Sequence, residues 1–148
     1  MMSEKTVIRR IDPSTPHLNE LAAEAKKHGH SFVERLIQEA KNGKNRFAEK
    51  GECFFGVYCG GTLVACGGVN RDPYTDQYVG RLRHIYVMSR ARRSGVATLL
   101  VKKMLNQCKV DFDTFRLRTP DENADKFYEA LGFRRTDEKY ATHILSIE

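Results

Sequence analysis

The spacing of apolar residues changes period several times along the chain, and each change marks a structural element. Val7-Ile8-Arg9-Arg10-Ile11 predicts a first strand, stopped by Asp12-Pro13. Thr15-Pro16 opens a helix with proline at the tolerated first position; Leu18, Leu21, Ala22 and Ala25 form its apolar stripe, and His28-Gly29 closes it. Ser31-Phe32-Val33-Glu34 has capping-box spacing and begins a second helix, apolar along Val33, Leu36, Ile37 and Ala40, that stops near Asn42-Gly43. Phe54–Tyr58 and Leu63–Val69 predict two strands joined through Gly60-Gly61, a hairpin signal. The turn-rich stretch Asn70–Gln77, with Asp72-Pro73, predicts a loop, and Tyr78–Met88 a long strand ending in a basic, glycine-containing turn. A helix from Val96 carries Leu99, Leu100, Met104 and Cys108 on one side, and Thr114–Arg118 reads as a strand. Thr119-Pro120-Asp121-Glu122 is a second capping-box candidate, opening a helix that presents Ala124, Phe127, Tyr128 and Leu131 and ends at Gly132. Tyr140–Ile147 predicts the closing strand.

The predicted order β-α-α-β-β-β-α-β-α-β describes an α/β (α+β) domain on a mixed sheet, antiparallel first and parallel later. At 148 residues, 41% hydrophobic and 30% charged, the chain fits one soluble globular domain spanning 1–148. No apolar run is long enough to span a bilayer, and no apolar segment follows Met1-Met2-Ser3-Glu4-Lys5; a cytoplasmic location is the expectation. Cys53, Cys59, Cys66 and Cys108 form no C-x-x-C pair and fall in apolar surroundings, so they read as buried hydrophobes, with no metal expected. The net charge of +6 is spread without a Lys/Arg tract, which disfavours nucleic acid and suits an anionic small ligand.

The densest basic cluster, Arg81 to Arg93, coincides with the most informative segment. There Arg81-Leu82-Arg83-His84-Ile85-Tyr86-Val87 runs through Met88-Ser89-Arg90-Ala91 into Arg92-Arg93-Ser94-Gly95-Val96-Ala97 at a helix start. Such a turn presents unpaired backbone N–H groups and the positive end of the helix dipole. Gly95 lets backbone approach an anion closely, which makes the segment a pyrophosphate cradle. It matches neither the Walker loop nor G-x-G-x-x-G.

These residues resemble the GNAT N-acetyltransferase superfamily. Arg92-Arg93-Ser94-Gly95-Val96-Ala97 fits its signature R/Q-x-x-G-x-G/A, and Ile85-Tyr86-Val87 the strand before it. Asn123, Phe127-Tyr128 and Gly132-Phe133 match its second element, an Asn followed by an aromatic-Tyr pair and Gly-Phe. The resemblance implies a central sheet of six to seven strands with about four helices, splayed between the fourth and fifth strands to admit the pantetheine arm. It implies acetyl-CoA as cosubstrate, held by backbone from Arg92 through Ala97 with Thr98 behind, and by backbone groups of Ile85 and Val87. It further implies Asn123 as a hydrogen-bond partner of the cofactor arm and Tyr128 as the acid that protonates the departing thiolate. The activity implied is direct transfer of an acetyl group to a primary amine in a ternary complex; a small-molecule acceptor is slightly favoured over a protein, and a homodimer is usual. The alternative is a non-catalytic CoA-binding sensor or regulatory module of the same fold.

One departure from the family concerns the base. Many members carry a glutamate on the strand entering the CoA motif, whereas residues 81 to 87 here contain no acid. His84 is the local substitute; water-relayed proton loss and binding of an already neutral amine are the alternatives. Near the expected acceptor site, Asp72 and Tyr74 lie in the adjoining loop. Asp72 could meet a cationic amine, and Arg81 or Arg83 a carboxylate or phosphate.

Overall fold

The computed structural model describes residues 5–147; Met1–Glu4, part of the segment read for a leader, lie outside the described residues. Seven strands form one sheet: β1 (Thr6–Arg10), β2 (Cys53–Cys59), β3 (Thr62–Arg71), β4 (Gly80–Val87), β5 (Thr114–Leu117), β6 (Arg134–Arg135) and β7 (His143–Ser146). Four α-helices accompany them: α1 (Asn19–Lys27), α2 (Phe32–Lys41), α3 (Val96–Cys108) and α4 (Ala124–Ala130). No described helix is long and apolar enough to cross a membrane.

The spatial order β1-β2-β3-β4-β5-β7-β6 contains one parallel pair, β4 with β5. The expected parallel second half is therefore limited to that pair. The reason is β6, a two-residue edge strand of arginines that carries no hydrophobic period. It pairs antiparallel with β7, which enters between β5 and β6 and so runs antiparallel to β5 as well. The β2–β3 hairpin closes through Gly60 and Gly61, both with positive φ, as a two-residue turn demands.

Side-chain alternation along β4 divides its packing between two layers. Tyr86 and His84 meet Phe32 of α2, whereas Ile85 lies against Gly67, where an added Cβ would come within 2.9 Å of the Ile85 side chain. Met104 and Leu100 of α3 border the same position. The two faces of the sheet are thus covered by α1–α2 and by α3, over a core that includes Phe54, Phe112, Phe115, Leu21 and Leu36. All four cysteines are buried, with Cys53 Sγ 2.9 Å from Cys108 Sγ.

Several boundaries differ from the sequence reading for local reasons. Pro16–Leu18 is a 3₁₀ turn ahead of α1, with Thr15 Oγ1 accepting from His17 N. Ser31 makes no side-chain cap bond, and Glu34 instead lies 3.5 Å from Lys26, so the first capping box is not formed. The second is not formed either, because α4 starts later. Thr119 Oγ1 accepts from Asp121 N and Asp121 Oδ1 from Asn123 N, holding the segment in side-chain-closed turns. Asn70 and Arg71, expected in a loop, extend β3 opposite Arg81 and Gly80.

Candidate functional site

β4 and β5 stay paired only at Gly80↔Phe115 and Arg81↔Arg116. Beyond Arg81 they separate, and a cavity of about 320 Å³ opens between Arg83, His84 and Ile85 on one side and Leu117, Arg118 and Thr119 on the other. Phe32 and Tyr128 also border it. Within this stretch Cys66 faces Tyr86 and Gly68 faces Arg83, so two β4 residues oppose the single Gly67. The extra residue is His84, a β-bulge at φ 60°, and it interrupts the ladder where the cleft begins.

The turn leaving β4 is held from below. Glu24 of α1 accepts from the Tyr86 hydroxyl at 2.6 Å and from Ser89 N at 3.0 Å. Burial pushes its carboxyl pKa up, but the Tyr86 hydroxyl, the Ser89 amide, Arg92 and His28 outweigh this and hold it below the ordinary range. That stabilisation is complete above the unfolded pKa of about 4.3 and is lost as pH falls through the lower folded value. Because Glu24 is half-exposed, Glu24→Ala is expected to cost about 1.5 kcal/mol, the low end for bonds to a charged group. Urea denaturation at pH 7 and pH 4 should show the variant gap narrowing at the acid end; a constant gap would contradict the anchor.

At the helix start, Arg93 has φ 62° and Gly95 φ 83°, while Gly95, the N-cap of α3, supplies no side chain to the free N–H groups. A Cβ built on Gly95 would find nothing within 4 Å, so the turn is open as well as left-handed. This is backbone geometry suited to an oxyanion. Val96 is buried, leaving only its backbone available, while Ala97 and Thr98 are half-buried in the first turn. Arg92 is exposed, donates to Val87 O at 2.9 Å and lies over the Tyr86 ring, so one of the two expected pantetheine-pairing strand residues already has its carbonyl engaged by a guanidinium. The Ser94 hydroxyl donates to Ala91 O.

Tyr128 is 8% exposed, packed edge-on against Phe127 and Phe133 and beside His143. Its hydroxyl has no hydrogen-bond partner among the described residues, and burial raises its pKa to about 12. His143 in turn lies 2.9 Å from Asp125, tying α4 to β7 beneath it. Asn123 is exposed at the start of α4. His84 is held between Phe32 and Phe47, with its Nε2 buried and unbonded among the described residues. Burial, then Arg83 and Arg35, depress its pKa to about 4, which leaves a weak base at neutral pH.

Of the four residues expected near the acceptor, three contact one another and Arg83 stands apart. Asp72 is 2% exposed; its Oδ1 accepts from Tyr74 N, and its Oδ2 lies 3.5 Å from Arg81 and 3.9 Å from Arg116. Arg81 lies over the Tyr74 ring and donates to Tyr140 O, and Tyr74 stacks on Tyr140 at 4.3 Å. Asp72, Tyr74 and Arg81 therefore make a clasp at the last paired position of β4 and β5, and the Asp72 carboxylate is taken up by two guanidiniums. Arg83 has no part in the clasp; it borders the cleft, which Arg81 also lines, and a second cavity of about 590 Å³ beneath the α2–β2 connection. Glu24 and Phe32 carry no signal in the sequence, because both sit in ordinary helical patterns.

The sequence profile of the Acetyltransferase (GNAT) family matches residues 15–133. The chain belongs to the GNAT acetyltransferase family. Its fold agrees with that assignment. A proposed acetyltransferase from Exiguobacterium sp. 255-15 superposes with a TM-score of 0.83 at 29% identity, over 96% of this chain and 93% of that one. A GNAT-family acetyltransferase from Staphylococcus aureus Mu50 superposes at 0.75 with 19% identity, over 97% and 100%. Ard1 from Thermoplasma volcanium gives 0.73 at 20%, over 97% and 98%. At these lower identities the likeness is one of GNAT fold alone. No curated protein sequence matches the chain.

Proposed function

We propose that this GNAT protein is an N-acetyltransferase that moves an acetyl group from acetyl-CoA to a primary amine by direct attack in a ternary complex. The observation that carries the proposal is the cleft where β4 leaves β5, bordered by the unbonded Tyr128 hydroxyl and following on to the open left-handed turn at Gly95. Bound acetyl-CoA supplies an activated thioester; the chain supplies its orientation and handles the protons.

Backbone from Arg92 to Ala97, with Thr98, would hold the pyrophosphate, and Ile85, Val87 and Asn123 would hold the pantetheine arm. Tyr128 keeps its proton across the neutral range, since its pKa is about 12, and presents it to the sulfur side of the cleft. Desolvation raises the basicity of a thiolate in the same cleft too, so the donor and acceptor shift together. For the amine, His84 is too weak a base to strip an ammonium efficiently. Burial, the main cause of the low His84 pKa, with Arg83 and Arg35 behind it, would also disfavour the charged form of an amine bound there, which suits attack by an amine that binds neutral.

Acetyl-CoA titration calorimetry followed by thiol release across an amine panel tests the proposal. Binding with release supports it, tight binding without release on any amine favours the CoA-sensor reading, and absence of binding refutes the cradle. Gly95→Val is expected to lower acetyl-CoA affinity at least about 10-fold. A β-branched residue at this φ costs about 1–3 kcal/mol and fills space the phosphate needs. Gly95→Asn tolerates φ 83° better, so it should be the milder of the two in stability yet still weaken binding. Equal affinity in all three proteins would contradict a phosphate role for the turn.

A further inference from the structure

Arginines near the cleft differ in one respect. Arg81 and Arg116 share Asp72, Arg116 also pairs with Glu138 at 2.9 Å, Arg135 pairs with Asp125, and Arg118 on the cleft wall is exposed to solvent. Arg83 is half-buried and has no carboxylate, carbonyl or hydroxyl partner among the described residues. On the cleft side its charge acts unfavourably on Arg81 and, with Arg35, on His84, and although Glu39, Glu49 and Glu52 line the larger cavity, none of them is within ion-pair distance of it among the described residues. A partly desolvated guanidinium without an ion-pair partner has its interaction capacity left for an anion from outside. Its position fits that use. Arg83 opposes Gly68, whose missing side chain leaves room for Phe47 on the α2 face, and it borders both the thioester cleft and the larger cavity under the α2–β2 connection.

We propose that the acceptor of this enzyme is a compact amine carrying its own oxyanion, a carboxylate or phosphate, and that Arg83 binds that oxyanion and selects for it. The inference rests on the acetyl-transfer reading above. Arg83 stands two residues before Ile85 on β4, roughly 6–7 Å along an extended strand, and the bulge at His84 shortens that span. An anion held by Arg83 thus places an amine a few bonds away beside the thioester end of the cleft. Amino acids and aminoalkyl phosphates have that reach, and an unsubstituted alkylamine gains nothing from the arginine. Bidentate guanidinium recognition suits both oxyanions.

The test titrates CoA-saturated protein by calorimetry with α-, β- and γ-amino acids and aminoalkyl phosphates, each beside its neutral amide or alcohol. Thiol release from acetyl-CoA is measured on the same pairs. The wild type is expected to prefer the anionic member roughly 10- to 100-fold, in line with a lost charge-assisted bond. Arg83→Gln should bring that ratio close to one with CoA affinity unchanged within about 2-fold, and Arg83→Lys should restore part of it. The carboxylate and phosphate arms separate the two sources. Equal binding of charged and neutral members overturns the proposal, as does an Arg83→Gln loss common to both, or binding of neither. Failure of CoA itself to bind would instead strike the acetyl-transfer reading.

Discussion

Tyr128→Phe is expected to reduce turnover by about 10²-fold or more, the usual scale for removing a positioned acid, while leaving acetyl-CoA affinity within about 3-fold. The folded state should hardly notice. The hydroxyl makes no hydrogen bond among the described residues, and the ring's contacts with Phe127, Phe133 and His143 all survive in phenylalanine. Removing an unpaired buried hydroxyl is neutral or slightly stabilising. Turnover and urea stability measured on the same preparations therefore separate two roles. A kinetic loss without a stability loss marks an acid, whereas an unchanged turnover number reduces Tyr128 to core. The pH profile adds a third reading. With the phenol near 12, its own ionisation contributes no decline between about pH 6 and pH 10, so a basic limb in that range must belong to another group.

The parts of this protein legible in the sequence are those governed by short-range rules. The apolar stripes of α1 and α2, the Gly60-Gly61 hairpin and the strand-turn-helix around Gly95 all follow from residues within one or two turns of each other and stand where the sequence placed them, whereas Leu99, expected on the α3 stripe, is 46% exposed. The motif residues at 85–98 and 123–133 also carried the family. What stayed hidden depends on distant partners. β6 is two arginines whose strand character exists only because β7 lies beside them. Ser31 and Thr119 have the spacing of caps, yet the bonds they were expected to make are replaced by a Lys26–Glu34 pair and by local side-chain turns. Glu24, 62 positions from Tyr86 in sequence, has no periodic signature that marks it as the support of the β4 exit.

The acceptor residues show the same division at the level of chemistry. Charge type in the sequence put Asp72, Arg81 and Arg83 into one candidate set, but burial and pairing split it. Asp72 and Arg81 neutralise each other in the interior, while Arg83, on the same strand as Arg81, keeps its charge facing the cleft. Which arginine is spoken for is decided by Arg116, Tyr140 and the loop carrying Asp72, and these lie far apart along the chain.

Removing that buried carboxylate gives the largest stability effect expected of a single substitution here. Asp72→Ala leaves Arg81, 7% exposed, and Arg116 without their shared counter-charge and frees Tyr74 N. Breaking a buried pair from one side costs about 3–5 kcal/mol, a third or more of a typical domain's stability. Because the clasp holds the last paired rungs of β4 and β5, the cleft above it should loosen as well, and acetyl-CoA affinity should fall with the stability. Asp72→Asn keeps an acceptor for Tyr74 N and should lose less. Replacing both partners, Asp72→Ala with Arg81→Met, removes the stranded charge on Arg81 and should recover part of the loss. Urea denaturation of the four proteins gives the coupling directly. A single-variant loss below about 1 kcal/mol would show that Arg81 and Arg116 are satisfied by water, and that the splay is set by the β4 bulge and Gly67 rather than by the ion cluster at its foot.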